Sequence, residues 1–272
     1  MSKLNYYDAD DTFALNPDMI ITVKYVYEFF PIITIDNFYL YPEKVRDLAF
    51  QIPITNGRDN TSGYPGKRLS LTNFNHSENF NRELHKIFVS TVDELSSISI
   101  SKDIIFNVFD TSTPNPKTHY SLPHTDPVEF ASIIYLNTVD EPVPGTYLYN
   151  YKPSNLPMIP NSFIQMELLI KHFNRVNPGK FKDKVETVKY IQECINSQSK
   201  EMHIRSEIEN NHILDDDKDW DIHTKIEPKF NRFMGYLGGM FHSAAIDYEF
   251  FVDKEYVRLN QILFNPEKRE IG

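Results

Sequence analysis

The chain has 272 residues, a formal net charge of -10 at pH 7, and 40% hydrophobic and 14% aromatic content. That is enough apolar material for one large domain or two small ones, and the acidic balance excludes a broad nucleic-acid-binding surface. One cysteine, Cys194, excludes a disulfide framework or a Cys-based zinc site within one chain and fits a reducing, cytoplasmic setting. No apolar run reaches membrane-spanning length, and residues 1–11 lack the basic start and apolar centre of a signal peptide.

In chain order, residues 1–18 are polar and acidic and are expected to form an arm. Residues 20–26 are rich in β-branched side chains and predict a strand, as do residues 31–35. Val45, Leu48, Ala49 and Ile52 recur at helical spacing, with Pro42 placed for the first turn. Residues 55–67 are turn-rich, and 69–74 suit a short strand. Phe80, Leu84, Ile87, Phe88, Thr91 and Leu95 share one face of a longer helix. Residues 103–109 read as a buried strand, 110–123 as a Thr/Pro/Asn loop, and 131–137 as an apolar strand. A Pro-rich loop and Gly145-Thr146 then lead into a strand that runs to Tyr151.

Residues 152–229 change in character and are expected to be an insertion. Phe163, Met166, Ile170 and Phe173 mark one amphipathic helix, capped by Ser162. Val185, Val188, Ile191 and Ile195 share a face of a second helix, with Asp183 and Glu186 in an N-terminal box. Residues 196–229 are polar, and the acidic run at 215–221 is expected to be a solvated loop; no Gly-centred pattern follows that would favour calcium. Strands return over 231–242 and 256–264. The expectation is a single, mainly β domain with flanking helices, its core spanning about 20–151 and 230–266 and its insertion about 152–229.

The chemistry centres on His124-Thr125-Asp126, an H-x-D. On an extended segment, positions i and i+2 face the same way, so a neutral imidazole and a carboxylate can grip one metal ion. A third ligand from a distant strand would complete a facial triad with open positions, suited to non-haem Fe(II) and O2. Alone, an H-x-D recurs by chance. Of the 9 histidines, His242 is the preferred third ligand. It alone ends an apolar, glycine-bearing run where the strands resume, and Gly238 and Gly239 permit close approach or a bend. The competing reading is a hydrogen-bonded core histidine. His76 and His85 lie upstream, His119 is on a loop, His172 lies off the apolar stripe of its helix, and His203, His212 and His223 sit in polar surroundings.

Arg258 stands amid Val257, Leu259, Ile262 and Leu263, where an unpaired charge is costly. Its planar fork suits a carboxylate; the alternative is an edge-strand arginine reaching solvent. Tyr135 can donate a phenolic hydrogen bond to the same carboxylate or serve as core packing. Thr146 is a weaker candidate of the same kind.

His124-x-Asp126, residues 133–137, Gly145-Thr146, His242 and Arg258, in that order, resemble the prolyl-4-hydroxylase-like branch of the 2-oxoglutarate/Fe(II)-dependent dioxygenases. Residues 35–49 together with 64–68 are similar to a less characterised set of such oxygenases found in bacteria and phages. The resemblance covers about residues 31–151 and 230–266. It implies a double-stranded β-helix, or jelly roll of cupin type, with the helical insertion added. It implies His124, Asp126 and His242 as iron ligands. It also implies Arg258 on the distal carboxylate of 2-oxoglutarate, with Tyr135 and Thr146 assisting. The activity implied is hydroxylation of a small molecule or a peptide or protein side chain, using O2 and releasing succinate and CO2. The sequence departs from the pattern at Pro144, where a paired glycine is usual, and in an extra turn at 247–254. Two other classes compete: a jelly-roll binding or structural protein without catalysis, and a zinc or manganese enzyme using the same triad.

Overall fold

A computed structural model describes residues 8–52, 67–71, 76–92, 104–109, 123–208, 217–245 and 255–263. The turn-rich stretch at 53–66, the loop at 110–122, the extra turn at 247–254, Leu95, Phe264, His119, His212 and the side chain of His203 lie outside the described residues.

Among the described residues, ten strands form two antiparallel sheets. The first is ordered β1 (Ile20–Val26), β2 (Phe30–Asp36), β8 (Arg232–Leu237), β5 (Phe130–Tyr135), β10 (Arg258–Ile262), β4 (Ile104–Phe109) and β3 (Lys67–Leu71). The second is ordered β7 (Trp220–Ile226), β6 (Thr146–Tyr151) and β9 (His242–Ala244). From β4 onward the chain alternates between them: β4, then a bridge from His124 to His242, then β5, then β6 and β7, then β8, β9 and β10.

Period-2 alternation divides the larger sheet into two faces. Phe130, Ile134 and Phe233 belong to one, where Phe88 packs at ring-centroid distances of 5.3 and 5.8 Å from Phe130 and Phe233. Phe88 comes from α3 (Glu78–Thr91), whose Ser77 cap accepts from the Phe80 amide at 3.0 Å. Beside it lies α2 (Pro42–Gln51), with Pro42 in its first turn and Val45, Leu48 and Ala49 buried. The register pairs Ala131 with Tyr236, Ile133 with Met234 and Tyr135 with Asn260, so these side chains share the opposite face, toward the smaller sheet.

Residues 8–18 are docked rather than a free arm. A short helix, α1 (Ala9–Thr12), carries Phe13 into the core at 1% exposure, and Leu15 bridges Tyr39. The two predicted insertion helices are present as α4 (Phe163–Val176) and α5 (Lys184–Ile208), and they pack on each other. Their faces differ from expectation. Phe163 is exposed in the first turn of α4, while His172 is fully buried because α4 is covered both by α5 and by the β1–β2 turn. Within the stretch expected to be polar loop, α5 continues to Ile208 and residues 220–226 form β7 along β6. Among the described residues no helix is long and apolar enough to cross a membrane.

Candidate metal centre

His124 and His242 meet backbone to backbone. The His124 amide donates to the His242 carbonyl at 3.0 Å, and the His242 amide returns the bond at 2.9 Å. Two residues on, the Asp126 amide donates to the Gly238 carbonyl at 2.8 Å, and the Gly238 amide donates to Glu129 at 3.1 Å. This contact explains the glycine: a Cβ on Gly238 would sit 2.2 Å from the Val128 carbonyl oxygen, so any side chain would push the two segments apart.

The consequence is that His124, Asp126 and His242, 118 residues apart at their extremes, bring one ligand atom each within 4.8 Å of one another. His242 Nε2 lies 3.4 Å from Asp126 Oδ2, and the two imidazole centroids are 4.4 Å apart. Two ligands at about 2.1 Å from a shared ion lie roughly 3.0–3.5 Å apart at the angles of octahedral or tetrahedral coordination, so this separation suits joint ligation. His242 is buried, Asp126 half-buried and His124 exposed, leaving one side of the group open to solvent. His242 Nδ1 lies 2.9 Å from the Met240 carbonyl. That bond requires the proton on Nδ1 and leaves the Nε2 lone pair for a metal, the usual support for a ligating imidazole.

On the face of the larger sheet that carries Tyr135 and Asn260 is Arg258, at 2% exposure. Its Nε donates to the Pro144 carbonyl at 3.2 Å. The Asn260 amide, turned so that its oxygen meets Arg258, accepts from Nη1 at 2.7 Å. Among the described residues, Nη2 is buried without a hydrogen-bond partner, and so is Oδ1 of Asn107, which pairs with Asn260 across β4 and β10. Among the described residues no carboxylate neutralises this guanidinium. The Pro144 carbonyl holds Nε in place, a main-chain contact that any residue at this position could supply. Gly145 is required: a Cβ there would lie 2.0 Å from the Ile226 carbonyl oxygen.

Tyr135, fully buried, shares a 2.7 Å hydrogen bond with Thr146 Oγ1 and lies 3.7 Å from Met234 Sδ. Burial raises its pKa, and the nearby Arg258 charge opposes that rise. Tyr135, Thr146 and Arg258 are thus gathered on one wall. The other described histidines are elsewhere. His76 is buried under the helices, His172 and His223 flank Tyr27, and His85 lies on α3.

Residues 17–165, more than half the chain, match the model described as "Family of unknown function (DUF6445)". The chain belongs to that family. No curated protein matches the chain. The DUF6445 match contains His124, Asp126, Tyr135 and Thr146 and ends before His242 and Arg258.

Three further side chains belong to this site. Tyr236, on β8, lies edge-on to His242 at 4.8 Å between centroids. Its pKa is driven well above the phenol range, first by burial and next by the Asp126 charge, with Arg258 pulling the other way. Asn161 and Gln165, just before and within α4, donate to backbone carbonyls of the loop carrying Asp126. Alternation along β8 could have pointed to Tyr236 once its register with Ala131 was known. No sequence signal marks Asn161, and Gln165 is marked only as the last residue of an S-x-x-Q helix-start pattern.

Proposed function

We propose that the protein is a 2-oxoglutarate- and Fe(II)-dependent oxygenase on a double-stranded β-helix, hydroxylating a small molecule or a peptide or protein side chain. Support for the fold reading comes from the winding. The order β4-β10-β5-β8 in one sheet, and His124 bridge-β9-β6-β7 in the other, is traced by a chain that repeatedly crosses between the two.

The observation that carries the functional reading is Arg258. A permanent cation is held almost fully buried, with Nη2 unpartnered among the described residues, on the sheet face that turns toward a two-imidazole, one-carboxylate group. Removing one partner of a buried ion pair is strongly destabilising, so a guanidinium built into this position calls for an anion from outside the chain. A dicarboxylate satisfies both ends of the space. His124, Asp126 and His242 would hold a divalent ion of the facial-triad type, and Arg258 would hold the far carboxylate.

Fe(II) and 2-oxoglutarate, when bound, supply O2 activation coupled to conversion of 2-oxoglutarate to succinate and CO2. The chain supplies position. The Met240 carbonyl fixes the His242 ring, and the Pro144 carbonyl and Asn260 aim the guanidinium. Tyr135 stays neutral and can donate beside Arg258. Asp126 occupies the third ligand place with protein, which favours hydroxylation over halogenation.

The test is an anaerobic titration with Fe(II) and 2-oxoglutarate. A weak visible charge-transfer band is expected, lost in His242→Ala, together with succinate release once O2 and substrate are admitted. Absence of the band, or retention of zinc alone with no succinate from any substrate pool, would sink this reading.

A further inference from the structure

A third segment closes on the metal-candidate group from outside both sheets. Residues 157–165 run from β6 into α4 and touch each of the two strands of backbone that carry the ligands. On the His242 side, the Phe241 amide donates to the Pro157 carbonyl at 3.1 Å, Met158 bridges Met240, and the Ile159 amide donates to the Gly239 carbonyl at 2.8 Å. On the Asp126 side the contacts are made by side chains. Asn161 Nδ2 donates to the Asp126 carbonyl at 2.6 Å and to Val128 at 3.3 Å. Gln165 Nε2 donates to the Glu129 carbonyl at 2.7 Å and, more weakly, to Val128 at 3.5 Å.

The use of Gln165 is unusual. Ser162-Phe-Ile-Gln165 has the form of a capping box, in which the residue at the third helical position turns back to an orphan amide of its own chain. Here its Oε1 accepts from the Asn161 amide at 2.7 Å while its Nε2 reaches across to the metal loop. One amide thus serves the helix start with its oxygen and the loop with its nitrogen. Gln165 is fully buried and Asn161 half-buried, so neither carbonyl bond is readily replaced by water. Gly239 makes room for the arrangement: a Cβ there would lie 2.2 Å from the Ile159 carbonyl oxygen and 2.5 Å from Gln165 Oε1.

We infer that Asn161 and Gln165 are positioning residues for the triad: the start of α4 clasps the 126–129 backbone and sets where Asp126 stands relative to His242. The inference rests on the metal reading of His124, Asp126 and His242. It makes the α4–α5 hairpin and the ligand set one mechanical unit, so a ligand or partner that shifts α4 changes metal affinity.

The experiment compares Co(II) binding and its visible spectrum, with metal-free melting temperature, in wild type, Asn161→Ala, Asn161→Asp and Ser162→Ala. Asn161→Asp keeps size but cannot donate when ionised. Ser162→Ala removes the α4 cap, whose Oγ accepts from the Gln165 amide at 3.3 Å, and leaves the loop contacts in place. Both Asn161 variants should bind Co(II) at least about 10-fold more weakly, the scale seen when support behind metal ligands is lost, with an altered spectrum. Ser162→Ala should lower the melting temperature while binding within about twofold of wild type. Asn161 variants that bind like wild type, or a Ser162→Ala loss as large as theirs, would overturn the inference while leaving the metal reading intact. Wild-type protein that binds no Co(II) would overturn both.

Discussion

Tyr236 lies edge-on against His242, ring centroids 4.8 Å apart. The hydroxyl end of the same side chain is within electrostatic reach of Asp126, Tyr135 and Arg258. The ligand group is built on a short strand and a loop, whereas Arg258 belongs to the centre of the seven-stranded sheet. The phenol on β8, a strand flanked by β2 and β5, links the ligand group to the large sheet. Functional groups held by regular elements are placed more accurately than groups on loops.

The first expectation concerns the metal. A ligand that binds only the native state stabilises it by about 2.7 kcal/mol at 100 times its Kd. Wild-type protein should therefore melt at a higher temperature with saturating Mn(II) or Co(II), and EDTA should reverse the shift. His242→Ala and Asp126→Ala should lose it while keeping a cooperative melt, because the backbone bonds between 124–126 and 238–242 do not depend on either side chain. A metal-induced shift that survives both substitutions would place the ion elsewhere.

Arg258→Met separates stability from binding. A buried cation with no carboxylate beside it among the described residues is a strained choice, and replacing buried charge by apolar side chains of similar volume is often neutral or stabilising. The melting temperature without ligand should stay level or rise. Affinity for 2-oxoglutarate should fall by about 2–5 kcal/mol, the range for truncating one side of a buried charge pair. Calorimetry in the presence of Mn(II) reads the second effect, and a variant that is destabilised yet binds normally would contradict the role given to Arg258.

Much of this was legible in the chain. Val45, Leu48 and Ala49 on α2, the Ser162 cap, and the β-branched strands follow local rules that tertiary contacts reinforce. His124, Asp126, His242, Tyr135, Thr146 and Arg258 were named from residue type and pattern, and the fold gathers them. The failures have physical causes. β7 alternates Trp220, Ile222, Thr224 and Ile226 against Asp221, His223 and Lys225, but the acidic residues before it disguise an edge strand as loop. His172 is polar yet fully buried, because Tyr27 and Phe30 from the β1–β2 hairpin cover it at 4.9 and 5.6 Å. Asn161 and Gln165 act on backbone carbonyls, and such contacts leave no pattern in side-chain chemistry.

Tyr135 and Thr146 should behave as a coupled pair. Their 2.7 Å bond is fully buried, so Tyr135→Phe leaves the Thr146 hydroxyl without its partner and should cost about 1–3 kcal/mol. Thr146→Val should cost a similar amount. The double variant should cost less than the sum, by roughly 0.5–3 kcal/mol, as expected for residues in one hydrogen-bonded unit. Denaturant melts of the four proteins give the cycle, and strict additivity would show that the hydroxyls act independently.

His76 sets a pH dependence far from the metal group. It is fully buried, stacked on Phe80 at 4.3 Å, and burial depresses its pKa to about 3. Gln261 Nε2 donates to its Nε2 at 3.1 Å, and the Tyr39 hydroxyl donates to Gln261 Oε1 at 2.9 Å, a chain that needs the imidazole neutral. Unfolded His76 takes up a proton near pH 6.5 and the native form does not. The unfolded state therefore binds more protons below pH 6.5, and stability falls as pH falls, by about 1.4 kcal/mol per pH unit for one such group. His172 and His223 are shifted the same way by burial and add to the slope in wild type, so the informative quantity is the difference between proteins. Between pH 6.5 and 5 the paired carboxylate Asp36, held at about 2 by the Arg232 hydrogen bond despite some burial, contributes nothing to that slope. His76→Gln should be less stable than wild type at pH 7, and its stability should fall by about one proton's worth less per unit over this window. Urea melts at half-unit intervals measure both slopes, and parallel lines would mean that native His76 titrates normally.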